Sequence, residues 1–328
     1  MDSQQAASIS SAPVCLPGVP VQSLSVASIT TSFNSVRVLP RQLDALLQQS
    51  RPLQEIIVVD NASTDETCSM LAQRYPQVKV LRMPENLGAA GAWAAGLAYA
   101  ALERRYDWVW SFDDDSLPDR QALQLLLDGY LSLAQDNPSI GMVAPVPVHR
   151  ATGTAYPPMF WKNGWMKPPP EILTQPAWLA DLVILSGNLV RREVVEKIGL
   201  PRADFFMDFF DFEYCLRARS HGYDIAVING CRFDHALGNG RQVALPSGTR
   251  LWSDYSPWRE YYMIRNLVYA GWWLYPNLQT KHFAVRHLVR RAGGVLLFGS
   301  HRLACLTKMA QGFWDGCRAR LGVRFRPF

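Results

Sequence analysis

Three consecutive carboxylates, Asp113, Asp114 and Asp115, follow the apolar run at residues 107–112. Such crowding raises mutual repulsion and lifts each pKa unless a cation neutralises the group. A hard divalent metal is therefore the economical reading, with a solvated acidic turn as the plain alternative. A second acidic strand end, EIIVVD at 55–60, runs from Asp60 into Asn61-Ala62-Ser63-Thr64-Asp65. One aspartate at such a position is ordinarily a turn or helix-cap residue. Farther along, Asp208, Asp211 and Glu213 stand in FFMDFFDFEYCLRARSHGY at 205–223, and His235 in FDHALG. Glu213 and Asp211 could simply pair with Arg217 and Arg219 along a helix, and a lone histidine is more often structural than a ligand. Trp161, Trp165 and Trp178 could stack on a bound ring or anchor a loop, whereas Trp93, in an Ala/Gly-rich helix, reads as core packing.

The elements that must position these residues follow from periodicity. Residues 26–141 alternate short β-rich runs with amphipathic stretches, as βαβ units and a mostly parallel sheet require. Strands are expected at 26–33, 55–60, 78–81 and 107–112, with a helix face at Leu39, Leu43, Leu46 and Leu47 and a helix at 89–102. Ligands of open α/β sheets bind beyond the carboxyl ends of the strands, where both acidic runs fall. A Pro- and Trp-rich region at 146–178 reads as a folded loop over a cleft. Beyond it, strands at 182–185 and 225–228 and helices at 191–198, 210–220, 258–274 and 282–317 are expected.

The chain has 328 residues, 48% hydrophobic and 19% charged, enough for a substantial core and far from a disordered composition. Its six scattered cysteines form no CxxC pair and suit a reducing compartment. No run of about 18 apolar residues offers a spanning helix, and residues 1–23 read as a loose leader. A cytoplasmic protein is expected. From Gly271 onward ten Lys/Arg face one acid, Asp315, leaving 23 basic and 27 acidic residues before them. The tail is thus a basic attachment on a mildly acidic body. In its last stretch Leu303, Leu306, Ala310, Phe313 and Trp314 fall near one helical face, which suits either a membrane surface or packing on the domain. Nucleic acid is not an expected partner, because aromatic residues are not interleaved with the basic run.

IIVVDNASTDET at 56–67, PENLGAAGAWAAGL at 84–97, FDDDSLP at 112–118, LSGNLVRREVVEKIGLP at 185–201 and the 205–223 segment together resemble, in order, the motifs of family 2 glycosyltransferases. The resemblance spans residues 24–275. It implies an α/β fold of the GT-A type: a single Rossmann-like domain with an open, mostly parallel central sheet and C-terminal helices. The expected organisation is a catalytic domain over 24–257, with a nucleotide-sugar half at 24–145 and an acceptor half at 146–257, and a basic helical extension over 258–328.

The resemblance also implies roles. Asp60 and Asn61 would hold the nucleotide, Asn86 and Gly88 would lie near the donor, and Asp113 and Asp114 would contact it. Asp113, Asp115 and His235 would bind Mg2+ or Mn2+. Asp211 would be the catalytic base of an inverting transfer, with Glu213, Trp178 and Asp208 toward the acceptor. The 205–223 segment, FDHALG and the run from Trp258 to Asn266 look most like bacterial rhamnosyltransferases of cell-surface polysaccharide assembly; galactofuranosyltransferases share much of this pattern. Donors are then dTDP-rhamnose or UDP-galactofuranose. The acceptor is a glycan or polyprenyl-linked saccharide, met at the inner face of the plasma membrane. Other classes remain: a catalytically silent nucleotide-sugar or glycan binder on the same scaffold, or a metal phosphohydrolase, for which histidines near the acids are too few. An oxidoreductase is excluded, since GxGxxG is absent after the first strand.

Overall fold

A computed structural model describes residues 24–149, 153–162, 164–235, 240–245 and 248–326. The leader expected over residues 1–23 and residues 236–238 of FDHALG lie outside them. The first half is built by β1 (Val26–Ser32), α1 (Leu39–Leu47), β2 (Glu55–Asp60), α2 (Thr67–Arg74), β3 (Lys79–Arg82), α3 (Gly88–Leu97) and β4 (Trp108–Asp113). β2 is apolar at successive positions because layers cover both its faces: Ile57 packs with Trp93 and Leu97 on one side, Ile56 and Val58 with Leu43 and Leu46 on the other. Of the four expected α1 leucines, Leu39, Leu43 and Leu46 are buried and Leu47 is exposed.

The chain continues through β5 (Leu117–Pro118), α4 (Ala122–Ala134), β6 (Ile140–Val148), the hairpin β7 (Phe160–Trp161) and β8 (Trp165–Met166), β9 (Ala177–Ala180), β10 (Leu189–Arg191), α5 (Arg192–Ile198), α6 (Phe210–Ser220) and β11 (Asp224–Asp234). A second hairpin, β12 (Gly240–Leu245) and β13 (Gly248–Ser253), precedes α7 (Pro257–Tyr269), α8 (Leu278–Phe298) and α9 (Arg302–Cys317). Among the described residues the main sheet has the order β3-β2-β1-β4-β10-β6-β11-β5, with β9 also on β11. β1 to β4, β6 and β11 run one way, and β10, β9 and β5 run against them. The sheet is mostly parallel, as the sequence suggests.

Three expectations are corrected. Residues 182–185 form no strand: Leu182, Val183 and Leu185 are buried, Leu182 makes a single bridge to Met159, and the pairing in the main sheet is done by β9 and β10 on either side. The single helix expected over 282–317 is two, α8 and α9, separated at Gly299-Ser300-His301. The boundary drawn at 257 does not divide the molecule either, because α7 belongs to the catalytic body. Arg265 donates to the carbonyls of Asp204, Phe205 and Gly322, and the Asn266 amide donates to those of Phe205, Met207 and Asp208. α9 in turn packs backbone-close on α7, since a Cβ at Gly312 would stand 2.4 Å from the Tyr261 carbonyl oxygen and one at Gly316 2.6 Å from that of Arg265.

Candidate active site

Register brings the acids together. β1 pairs Ser32 with Asp60 of β2 and Thr31 with Asp113 of β4, so both acidic strand ends open at one edge of the sheet. There lies a cavity of about 440 Å3 whose wall includes Asn61, Asn86, Gly88, Asp113, Asp114, Asp115 and His235. On the opposite side stand Phe206, Met207, Tyr255, Trp258 and Arg259, from the end of the 204–209 loop and the start of α7.

The donor-side wall is fixed by an amide network. Asn61 donates to Asn86 Oδ1 at 3.0 Å and to the Gly88 carbonyl at 3.1 Å, and its own Oδ1 accepts from the Leu87 N–H at 2.8 Å. Gly88 must be glycine: its φ is +72°, and a Cβ would lie 2.1 Å from the Phe206 carbonyl oxygen, which accepts from the Ala90 N–H. That contact joins the first βαβ half directly to the loop leading into α6. Asp60 itself is buried and does not line the cavity. Its Oδ2 accepts from Cys68 Sγ at 3.1 Å and its Oδ1 from the Ser63 N–H at 3.4 Å, so it holds the turn that presents Asn61.

The triplet splits by direction. Asp114 turns to the Ser35 hydroxyl, and burial pushes its carboxyl up to about 7. Asp113 and Asp115 flank His235, with Asp113 Oδ2 3.9 Å from Nε2 and Asp115 Oδ1 3.5 Å from Nδ1. Burial lifts Asp113 above the usual carboxylate range; His235 opposes this and Asp115 reinforces it. Burial works against a charged His235, but the carboxylates of Asp115 and Asp113 outweigh it and hold the ring above its ordinary pKa. Ser116 Oγ lies 2.8 Å from His235 Nδ1 and 2.7 Å from Ser186 Oγ, which accepts the Asp113 N–H at 2.9 Å. These partners orient the imidazole and Asp113 together. Among the described residues no three His, Cys, Asp or Glu side chains already stand as a metal centre. The donor chemistry nevertheless fits a hard cation: two half-exposed carboxylates and an imidazole held by a neighbouring hydroxyl, in a pocket with surplus negative charge.

Asp211 sits half-buried in the first turn of α6, with Oδ1 accepting the Phe212 N–H at 2.9 Å. Burial drives its carboxyl to about 7, and the like charges of Asp208 and Asp113 push the same way. Of the triplet, Asp113 acts on Asp211, whose side chain lines neither the acidic cavity nor the apolar one that Phe212 lines. Asp208 is paired with Arg259: its two oxygens accept from Nε at 3.2 Å and Nη2 at 3.1 Å. That carboxylate keeps the Arg259 guanidinium charged, and the guanidinium lies 4.5 Å over the Tyr255 ring.

Two expected acceptor residues are corrected. Glu213 is buried and bound twice by Arg217 at 3.0 Å, the helix pair one turn apart, and does not reach the cavity. Trp178 is buried on β9, donates to Asn229 Oδ1 at 3.0 Å and packs on Phe160, so it is core. Trp161 and Trp165 anchor their hairpin on Phe283 of α8, and Trp93 is buried with its ring N–H on Ser111. A second, largely apolar cavity of about 340 Å3 includes Pro145, Tyr156, Met159, Lys167, Ser186 and Phe212, the neighbour of Asp211.

Residues 28–199 match the family described as Glycosyl transferase family 2, more than half of the chain. The chain belongs to that family. Among relatives, it is 29% identical over 212 residues to the dTDP-rhamnosyl transferase RfbF of Shigella flexneri, covering 64% of this chain and 68% of that protein. It is 26% identical over 223 residues to the galactofuranosyltransferase GlfT1 of Mycolicibacterium smegmatis, covering 65% and 71%. The N-acetylglucosaminyl-diphospho-decaprenol L-rhamnosyltransferase of Mycobacterium tuberculosis is 25% identical over 282 residues, covering 75% and 88%. Solved structures share the GT-A fold. GalNAc-T7 with UDP, GalNAc and Mn2+ superposes with a TM-score of 0.59 at 15% identity over 90% of this chain, although the chain spans only 56% of that one. S. aureus TarS 1–349 in complex with UDP gives 0.53 at 15% identity, covering 90% and 83%.

Within the family 2 frame, the cavity wall that single-residue chemistry missed is Tyr255, Trp258 and Arg259. The run from Trp258 to Asn266 was visible as a motif. What it lacked was a spatial partner, since Asp208 is some fifty positions upstream and meets Arg259 only through the packing of α7.

Proposed function

We propose that this glycosyltransferase inverts configuration while moving a sugar, rhamnose in preference to galactofuranose, from a nucleoside diphosphate to a hydroxyl of a glycan or polyprenyl-linked acceptor in cell-surface polysaccharide synthesis. The single observation carrying this reading is the cavity in which Asn61, Asn86 and Gly88 share a wall with the acidic triplet and face Arg259. Asn61 and the turn held by Asp60 would receive the nucleoside. Arg259 would face the diphosphate; Asp208 takes two of its five N–H groups and leaves three. Asp113, Asp115 and His235 would hold Mg2+ or Mn2+, which when bound supplies positive charge for the departing diphosphate.

Asp211 would accept the proton of the acceptor hydroxyl as its oxygen bonds to the anomeric carbon and the carbon–oxygen bond to the diphosphate breaks on the opposite face. A carboxyl titrating near 7 suits a base at neutral pH. One displacement needs no second carboxylate nucleophile. The apolar cavity beside Phe212, with Lys167 on its wall, supports an acceptor carrying a lipid and a phosphate. Rhamnose is preferred because the names of the RfbF and decaprenol-dependent relatives specify it; GlfT1 supports the galactofuranosyl alternative. The test is nucleotide release with dTDP-rhamnose and UDP-galactofuranose, with and without EDTA, and the product's anomeric configuration by NMR. Turnover of the uridine donor alone would reject rhamnosyl transfer, and a retained configuration would reject the single displacement.

A further inference from the structure

The expected amphipathic face of the last helix is split: Leu306 and Phe313 of α9 sit against the cluster of Ile264, Val268 and Val295, whereas Leu303, Ala310 and Trp314 stay exposed. A different face remains open. On α8, Leu278, Val285, Val289 and Leu296 are 83%, 39%, 66% and 53% exposed. At about 100° per residue these four fall within some 40° of one another, and the stripe runs about 27 Å along the helix. The opposite side of α8 is the buried one, carrying Thr280, Phe283, Ala284 and Val295, with Arg291 bound to Glu260 of α7. Lys281, Arg286 and Arg290 flank the stripe, and α8 contains no acidic residue.

We propose that this face of α8 is a docking surface for an anionic lipid leaflet, with the four apolar side chains entering the interface and the flanking cations meeting lipid phosphates. Among the described residues no helix is long and apolar enough to cross a membrane, so α8 lies on the leaflet rather than through it. Charge selects the lipid over a second copy of the chain. A two-fold pairing of α8 with itself would set its cations against their own copies with no acid on the helix to answer them. An anionic surface answers all of them. Because Arg291 ties α8 to Glu260, next to the cavity residue Arg259, a docked leaflet holds the cavity at a fixed place relative to the lipid surface.

The test is co-sedimentation of the full chain with vesicles, half phosphatidylglycerol against pure phosphatidylcholine. The comparison includes Val289→Asp/Leu296→Asp and Arg286→Glu/Arg290→Glu, with dTDP and UDP binding as a separate check on the catalytic reading. Each cation is worth about a fivefold change in partitioning. Binding to the anionic vesicles should therefore exceed that to the neutral ones at least tenfold and fall sharply at about 0.5 M salt. Both double variants should lose at least tenfold while keeping the wild-type melting temperature and nucleotide affinity. Equal binding to both vesicle types, or variants that bind as the wild type does, would overturn the proposal. So would absence of vesicle binding together with a dimer that the apolar variant dissociates. Nucleotide binding that fails while vesicle binding holds would count against the catalytic reading alone.

Discussion

Asp211 combines a helix-start position, which favours a charged carboxylate, with burial that opposes it, and burial wins. Activity should rise with pH through about 7 and level off above it, because only the ionised carboxylate can take a proton. Asp211→Asn should lose two to four orders of magnitude in kcat with nucleotide affinity nearly unchanged, measured by initial rates and calorimetry. Linkage gives an independent check. A carboxyl raised on folding favours the protonated native state, and that stability is lost as pH climbs through the folded value. The Asn variant should therefore match the wild type near pH 4 and exceed it near pH 8, by roughly 1–3 kcal/mol in denaturant unfolding. Arg259→Lys keeps the charge but not the fork that Asp208 grips, so affinity for UDP and dTDP should drop at least tenfold, and less for the monophosphates. At this scale Asn61 and the triplet were legible because their strands end where ligands bind, and Asn86 and Gly88 only through the family resemblance. Glu213 and Trp178 were misread because a helix pair with Arg217 and a hydrogen bond to Asn229 decide where those side chains point, and neither shows in spacing.

Between the acidic strand ends and α6 runs a loop that the backbone alone would not adopt. Phe206, Asp208 and Phe209 all have positive φ, near 64°, 59° and 66°, each costing on the order of 1 kcal/mol or more for a non-glycine residue. The loop is held by α7, where one Asn266 amide serves three carbonyls and the buried Arg265 shares that of Phe205 and adds that of Asp204. Asn266→Ala leaves the carbonyls of Phe205, Met207 and Asp208 without it. It should destabilise the fold by roughly 2 kcal/mol or more and lower kcat further than nucleotide affinity, since the shifted loop carries Asp208 and leads directly into the first turn of α6, where Asp211 sits. Urea unfolding alongside steady-state kinetics checks both. The same element explains what periodicity could not supply. The 182–185 run is as apolar as a strand, but beyond one bridge from Leu182 to Met159 its buried residues lie in the core without joining the sheet, and hydrophobic patterning cannot separate the two cases. The break between α8 and α9 falls on Gly299-Ser300, a weak helix stop that a continuous amphipathic pattern had masked.

Across the whole molecule, the cavity has one wall from the first βαβ half and the other from a loop and a helix much later in the chain, and contacts around the opening join them. Gly88 against Phe206 and Arg259 against Asp208 are two of these. A donor spanning the cavity would touch both walls, so its binding should stabilise the fold beyond what either wall gains alone. At a nucleotide concentration near a hundred times Kd, mass action gives about 2.7 kcal/mol, a shift of several degrees in melting temperature for a chain of this size. The shift with UDP or dTDP plus Mn2+ should shrink markedly in EDTA. Asp115→Ala should lose the cation-dependent part and keep the remainder, because Asn61 and Arg259 are untouched. Arg259→Lys should do the reverse, keeping a response to Mn2+ while losing most of the diphosphate's share. A nucleotide shift indifferent to EDTA, or equally reduced in both variants, would mean that the two walls do not grip the diphosphate from opposite sides.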